Sequence, residues 1–314
     1  MAAFSEQDFL STANEMKEVE SARVIVGITR EEKNAQLVER IFRLLCLSAA
    51  FLPLLILAFL VGNTVISGLE RIDLDFLTGF PSRFASKAGI LPALIGTFYL
   101  MLLTTIIALP LGVASAIYLE EYAKDTWFKS LIELNVTNLA GVPSIIFGLL
   151  GLELFVRALG LGPSLVAGAL TLSLLILPVM ITATREALKT VPKNLREAGL
   201  ALGGTKLSVT LRVVLPLAMS QIITGAILSI ARAIGESAPI IVIGAATYLA
   251  FLPNGLLSEF SALPLQIFQW VERPQADFVE NASGAIVVLL AILAIFNLSA
   301  AWLRHHKEKS RGSL

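Results

Sequence analysis

Charged residues are scarce in this sequence: Asp, Glu, Lys and Arg make up 15% of its 314 residues, whereas an average soluble domain carries about 25%. A chain of this length with so few charges could not cover its own surface in water. The composition therefore excludes an ordinary soluble enzyme and a disordered protein, and it predicts a protein that crosses a membrane several times. Because the 24 basic and 24 acidic residues cancel, net charge predicts neither a nucleic acid nor an acidic partner.

Reactive side chains are also few. Cys46 is the only cysteine, which excludes a disulfide within the chain and a thiolate metal cluster. The two histidines, His305 and His306, are adjacent in a polar tail. No grouping of His with carboxylates is available for metal or nucleophilic catalysis, and no Walker A motif occurs. We therefore expect a chain that is not an enzyme and binds no metal or cofactor of its own.

Long apolar runs, by contrast, are abundant. A membrane-spanning helix needs about 20 residues, and seven runs without Asp, Glu, Lys or Arg can be considered: 44–66, 90–119, 134–152, 158–184, 213–231, 237–258 and 281–303. If 237–258 finishes the fifth helix, 18 basic residues lie on the cytoplasmic side and five on the outer side. This asymmetry predicts an all-α protein with six transmembrane helices and both termini in the cytoplasm.

The predicted organisation is a cytoplasmic N-terminal extension at 1–40, a transmembrane domain at 41–306 and a cytoplasmic tail at 307–314. The extension is no signal peptide, because the first apolar run is a full span, and we expect it to form one or two surface helices. We expect most aromatic side chains of the outer loop to be interfacial anchors; they are Phe260, Phe268, Trp270 and Phe278.

A short helix is predicted in the cytoplasmic loop at about 190–216. Pro192 can begin it, because the first N–H groups of a helix have no partner in any case, and Gly203 can end it in a left-handed conformation. One narrow face of small and apolar residues repeats at i, i+3, i+4 and i+7, and another protein could approach this face closely. Its members are Leu195, Ala198, Gly199 and Leu202.

This loop resembles the EAA loop of ABC-importer permeases, whose pattern runs Glu-Ala-Ala, three residues, Gly, nine residues, Ile-x-Leu-Pro. The spacing matches in full, and the two departures, Gly199 for Ala and Val213 for Ile, keep the side chains small or apolar. In that family the helix docks on a cytoplasmic ATPase and transmits its closure. The resemblance implies the type I ABC-importer permease fold and an ATPase-coupling surface made of Leu195, Arg196, Glu197, Ala198, Gly199, Leu202 and Gly203.

Four further stretches, 141–152, 171–203, 231–239 and 262–275, resemble the permeases of phosphate ABC importers. The sequence LPLQIF at 263–268 favours the PstA type over the PstC type. The resemblance implies half of a phosphate path in a bacterial inner membrane. It also implies a PstC-like permease, two PstB-like ATPase subunits that hold ATP and Mg²⁺, a periplasmic PstS-like phosphate-binding protein and membrane lipid as partners.

One pair of charges is predicted to lie inside the membrane. Arg232 follows 19 uncharged residues, and Glu236 is one turn further along the same helix face. A charge inside the bilayer costs about 2.5–3.5 kcal/mol, so it usually faces a cavity and has a function. The planar guanidinium suits phosphate, and we expect this pair to line the substrate path, with Arg185 as a weaker candidate. A helix pair that only stabilises an interface is the alternative.

Three other functions remain open. A permease for another oxyanion or small solute would share the loop at 190–216 but would not need Arg232. A membrane-embedded lipid transferase would need a cluster of His, Asp or Cys. A channel or an ion-coupled secondary transporter would not need a helix that docks on an ATPase.

Overall fold

The computed structural model describes the backbone of residues 6–245 and 248–311, and the side chains of 35–245 and 248–302. Over this part of the chain the elements are helices and no strand forms, which confirms the all-α prediction; Ser164 and Glu259 make one isolated bridge. The chain divides into two units, the first ending at Asn63 and the second beginning at Thr64. His305 and His306 lie outside the described side chains.

The first helix, α1 (Glu6–Leu69), has 64 residues and contains the first apolar run. The predicted separate surface helices in 1–40 are not seen, because the helix continues through residue 40 without a break. The reason is local: between Glu6 and Leu52 the sequence has no proline and a single glycine, Gly27, so nothing interrupts the hydrogen bonding of the helix.

Eleven further helices follow α1 in the described residues. They are α2 (Leu74–Thr78), α3 (Leu91–Ile117), α4 (Trp127–Ala140), α5 (Ser144–Gly151), α6 (Leu165–Lys189), α7 (Lys193–Ala201), α8 (Lys206–Val209), α9 (Leu215–Ile234), α10 (Ala238–Val242), α11 (Leu263–Val271) and α12 (Asp277–Arg311). A 3₁₀ turn forms at Ala85–Lys87. Single π-helical segments extend three of the helices: Tyr118–Tyr122 continues α3, Leu152–Ala158 continues α5, and Thr210–Val214 joins α8 to α9. The predicted end of the transmembrane domain at residue 306 falls inside α12.

Five of the described helices are long and apolar enough to cross a membrane. The sixth candidate is a pair, α4 and the extended α5, that bends by 106°. The predicted third span at 134–152 is therefore not one straight helix. Its break coincides with Gly141 and Pro143, where α4 ends and Pro143 takes an extended conformation before α5. The prediction of six spans holds if this bent pair counts as one.

The prediction that 237–258 finishes the fifth span is wrong. Helix α9 ends at Ile234, and only the five residues of α10 are helical before Gly244, whose φ of +82° ends them. Residues Pro239 and Gly244 are poor helix formers, which explains the break. The chain then reaches the start of α6, where the Leu165 N–H donates to the Ser258 carbonyl at 3.0 Å.

Helices α3 and α6 run parallel and pack along most of their length. The Ser173 hydroxyl of α6 donates to the Thr104 carbonyl of α3 at 3.3 Å. Helix α9 packs against α6 in the opposite direction, and Gly225 lies so close to Ala183 that a Cβ on Gly225 would be 2.6 Å from the Ala183 Cβ. Small residues at such contacts let membrane helices approach closely.

Three of the four aromatic side chains predicted to be interfacial anchors, Phe260, Trp270 and Phe278, are fully buried. Phe260 packs in one core cluster with Leu100 and Leu165. Trp270 and Phe278 pack in another with Phe76, and the ring centroids of Trp270 and Phe278 lie 6.3 Å apart. The expectation that these side chains are interfacial anchors is wrong, because α11 and the preceding loop fold inward over α3 and α12. Phe268 alone of the four is exposed, at 43%.

Candidate coupling helix and membrane-embedded ion pair

Helix α7 begins and ends where the sequence predicted. Pro192 precedes it in an extended conformation with φ −58° and ψ 139°, so its missing N–H costs the helix no hydrogen bond. Gly203 follows with φ +85°, a conformation that favours glycine. The Gly203 N–H donates to the Leu200 carbonyl at 2.9 Å and the Gly204 N–H to the Gly199 carbonyl at 3.1 Å. Both bonds satisfy carbonyls at the helix end.

One face of α7 is open and apolar. Leu202 is 90% exposed, and Leu195, Glu197 and Ala198 are exposed beside it. These four side chains were predicted to contact the ATPase, and the structure places them on the free side of the helix. Large apolar side chains presented together on a surface are typical of a docking site.

Gly199 lies on the other side of α7. A Cβ at this position would be 2.9 Å from the Val209 Cγ2, so Gly199 packs against α8 of its own chain. The four-residue face predicted from spacing therefore divides into three outward residues and one inward residue. The cause is the turn at Gly203 and Gly204, which brings α8 back beneath α7.

Arg196 also points into its own chain. Its Nη2 donates to Glu121 Oε1 at 2.8 Å and its Nε donates to the same carboxylate at 3.0 Å. The guanidinium also donates to the backbone carbonyls of Leu188, at 2.8 Å, and Val191, at 2.5 Å. The partner carboxylate belongs to the π-helical segment at the end of α3, and Glu121 is only 8% exposed. Arg196 thus joins α7 to the ends of α3 and α6.

A cavity of about 520 Å³ lies beside the contact between Arg196 and Glu121, which we call the joint. Its lining includes Glu120 and Glu121 from the end of α3, Lys189 from α6, and Arg196 and Glu197 from α7. Both acidic and basic groups therefore line an opening beside α7. A partner that docks here would contact both the exposed apolar side chains of α7 and a charged cavity.

Arg232 and Glu236 form the predicted ion pair. The distance from Arg232 Nε to Glu236 Oε1 is 3.5 Å, and the side chains are 45% and 19% exposed. Arg232 lies in the last turn of α9, and Glu236 follows the end of the helix. The neighbouring Ala233 packs in one cluster with Ile176, which is 11 positions after the start of α6 at Leu165. At 1.5 Å per residue this is about 16 Å from that end, close to half the thickness of a bilayer core.

Arg185, the weaker candidate for the substrate path, lies elsewhere. Its Nη2 donates to Glu133 Oε1 of α4 at 2.6 Å, and its Nε is 3.5 Å from Glu120 Oε2. The side chain, near the end of α6, is therefore held between the π-helical extension of α3 and the middle of α4. Position 185 is nine residues from Ile176 along α6, or about 14 Å, so the structure does not bring Arg185 to Arg232.

Two other ion pairs join residues one helical turn apart. Lys129 Nζ donates to Asp125 Oδ1 at 2.8 Å, and this bond lowers the pKa of the exposed Asp125 carboxyl. Glu153 and Arg157 form a local pair in the π-helical extension of α5, and both are exposed. Among the residues with described side chains, no group of three His, Cys, Asp or Glu is placed to hold a metal ion.

Sequence reasoning missed the partner of Arg196, which is 75 positions away in the chain. The available signal was weak: Glu120 and Glu121 are a pair of carboxylates at the end of an apolar run, where a basic residue is more usual. Such a pair indicates a buried cationic partner but does not identify it.

The chain is similar to known transport proteins. A family model described as a binding-protein-dependent transport system inner membrane component matches residues 108–311. The chain is 35% identical over 268 residues to the probable ABC transporter permease protein YqgI of Bacillus subtilis, which covers 79% of this chain and 90% of that protein. It is 38% identical over 231 residues to the phosphate transport system permease protein PstA 1 of Mycobacterium tuberculosis, with 74% of this chain and 75% of the relative covered.

A solved structure with a similar fold is that of a bacterial ABC transporter involved in the import of the acidic polysaccharide alginate. The TM-score is 0.55 at 15% identity, with 85% of this chain and 98% of the other chain covered. At this identity the likeness establishes the fold alone, which is that of a type I ABC-importer transmembrane domain.

Proposed function

The chain belongs to the family of binding-protein-dependent transport system inner membrane components, and from this premise we propose that it is the PstA-type permease subunit of an ATP-driven importer of inorganic phosphate. Family membership makes it a multi-pass inner membrane protein and a transport subunit, with ATP hydrolysis on a separate partner. It also removes the hypotheses of a lipid transferase, a channel and an ion-coupled transporter. The 38% identity to a phosphate transport permease carries the choice of substrate.

A permease of this family works with a second permease, an ATPase and a substrate-binding protein. We propose that these are a PstC-like permease, two PstB-like ATPase subunits that bind ATP and Mg²⁺, and a PstS-like phosphate-binding protein. Both termini of the chain then lie in the cytoplasm, on the same side as α7. Leu202 is 90% exposed, and this exposure supports an ATPase contact through α7. A large apolar side chain presented to water is stabilised when a partner protein covers it.

Arg232 and Glu236 then line the phosphate path. The half-exposed guanidinium can donate two hydrogen bonds to phosphate oxygens at once. The Glu236 carboxylate can accept a hydrogen bond from a protonated phosphate oxygen, which fully ionised sulfate does not offer. A shallow contact of this kind is what a permease needs, because it must release its substrate in each cycle.

Uptake of labelled phosphate by the assembled complex in proteoliposomes tests this function. Arg232→Gln should abolish uptake while ATPase subunits still co-purify, and Glu236→Gln should reduce uptake and weaken the preference for phosphate over sulfate. Arg157→Gln is the matched control, because its ion pair with Glu153 is exposed at another helix end. Wild-type uptake by Arg232→Gln with intact ATPase coupling would refute the role of this pair. A wild-type complex that transports another oxyanion instead would refute the substrate.

A further inference from the structure

One largely covered side chain holds the coupling helix to the helices beside it. We propose that Arg196 is a positioning residue that fastens α7 to α3, through Glu121, and to the end of α6, through the Leu188 carbonyl. A displacement of α7 by the ATPase would then move α3 and α6 with it. This inference rests on the proposed function, since it assumes that α7 receives the movement of an ATPase, and it concerns how that movement enters the membrane helices.

The geometry of Arg196 is suited to a rigid joint. Its guanidinium makes hydrogen bonds in two directions at once, to the Glu121 carboxylate and to the carbonyls of Leu188 and Val191, with distances of 2.5–3.3 Å. The Leu188 carbonyl lies in the last turn of α6, where a cation interacts favourably with the helix dipole. The Val191 carbonyl lies in the connection between α6 and α7. A lysine ammonium is a compact point charge and lacks the planar fork that reaches all of these acceptors.

Little else holds α7 to the rest of the chain. The helix has no fully buried residue, and no side-chain hydrogen bond caps its start at Pro192. The contact of Gly199 with Val209 joins it to α8, which follows it directly in sequence. Without Arg196, α7 would be held only by the chain on either side of it, the connection at Thr190–Pro192 and the contact with α8, which continues into α9. With Arg196, the start of α7 is also fixed to α3, a helix that is distant in sequence.

A series of packed helices connects Arg196 with the pair Arg232 and Glu236. Glu121 is in the π-helical extension of α3, and α3 packs in parallel on α6, where Gly112 lies against Met180. Helix α6 in turn packs on α9 through Ala183 and Gly225, and α9 ends at Arg232. Tightly packed helices transmit a displacement because their interiors compress little. A load applied at Arg196 therefore acts on α3 and α6 in addition to α9, which α8 joins to α7 along the chain.

The test compares coupling with assembly. Arg196→Ala and Glu121→Gln are reconstituted with the partner subunits, and phosphate transported per ATP hydrolysed is measured. We expect the ratio to fall at least about fivefold in both, the low end of coupling between sites, while the ATPase still co-purifies. Arg196→Lys should give an intermediate ratio. Arg157→Gln is the control, because its exposed ion pair with Glu153 lies away from α7 and from the cavity beside it.

A second measurement needs no transport and separates the joint from the choice of substrate. In the full chain in nanodiscs, amide hydrogen exchange across 195–201 should be at least about tenfold faster in Arg196→Ala and unchanged across 218–230, because local stability decides exchange. If Arg196→Ala does not assemble, Glu121→Gln decides, since it retains the bonds to both carbonyls. A wild-type ratio and wild-type exchange in Glu121→Gln would overturn the proposal. A wild-type complex that imports no phosphate would refute the proposed function. The hydrogen-exchange measurement would still test whether Arg196 holds α7, because it does not depend on transport.

Discussion

Leu202 provides the sharpest test of the docking face on α7. This leucine directly follows the helix and is 90% exposed, so its replacement by alanine removes almost no contact within the chain. The fold of the permease should not change, and the melting temperature of the purified chain should stay at the wild-type value. Any loss of ATPase binding would therefore report the docked state alone.

The size of the effect follows from the area that docking removes from water. Leu202→Ala deletes Cγ and both Cδ atoms, and each buried CH₂-sized group contributes about 0.8 kcal/mol. If docking buries the whole side chain, the loss is about 2 kcal/mol, which corresponds to a binding constant weaker by about 30-fold. A side chain only half covered by the ATPase would lose about half of this free energy, or about fivefold in affinity.

The assay is the titration of fluorescently labelled ATPase onto the permease pair in nanodiscs. Leu207→Ala is the matched control, because Leu207 is also exposed at this end of the molecule but belongs to α8. We expect the control to bind like the wild type. An affinity of Leu202→Ala within twofold of the wild type would refute the assignment of this face to the ATPase, and a loss of similar size in Leu207→Ala would shift the contact to α8.

Two predictions concern stability. Gly225→Val should lower the free energy of unfolding by roughly 1–3 kcal/mol, because any Cβ at this position contacts Ala183 and the two helices must separate. Gly62→Ala is the control and should not lower it, because a Cβ there has no atom within 4 Å. Thermal melts of both variants measure the difference. Arg71→Ala should cost roughly 3 kcal/mol, because Arg71 donates to Asn281 and to the carbonyls of Ala85 and Ala88. Equal melting temperatures for Arg71→Ala and the wild type would contradict this.

Local signals in the sequence predicted the parts of the site that depend on neighbouring residues. The limits of α7 follow from Pro192 and Gly203, because each restricts its own backbone. The contact between Arg232 and Glu236 follows from their separation of one helical turn. The burial of the aromatic residues at 251–280 could not be predicted, because it depends on how this segment folds. The positions of Trp270 and Phe278 in the sequence are equally compatible with a lipid-facing surface and with a protein core.

The parts that depend on distant residues could not be predicted in this way. The bend of 106° between α4 and α5 needs both the break at Pro143 and the packing of α5 on α6 and α10, and only the first is visible in the sequence. The direction of Arg196 is set by Glu121, which the parallel packing of α3 and α6 brings to the start of α7. A helical repeat predicts which residues share a face, but it does not predict which face the rest of the chain covers.

Arg196 and Arg232 differ in how many of their guanidinium N–H donors are hydrogen-bonded within the chain, and this difference suits them to different roles. The guanidinium of Arg196 is held by five hydrogen bonds of 2.5–3.3 Å and is 20% exposed. Its charge is neutralised by a buried carboxylate, so the side chain is costly to move and well suited to a joint. Arg232 has its carboxylate at 3.5 Å and is 45% exposed. That distance is too long for a strong hydrogen bond, so donors of Arg232 remain for an anion, and in the membrane position that we propose Glu236 also offsets the cost of the charge. The second arrangement therefore fits the role that we propose for Arg232, which must bind and release phosphate in every cycle, and the first fits the role that we propose for Arg196.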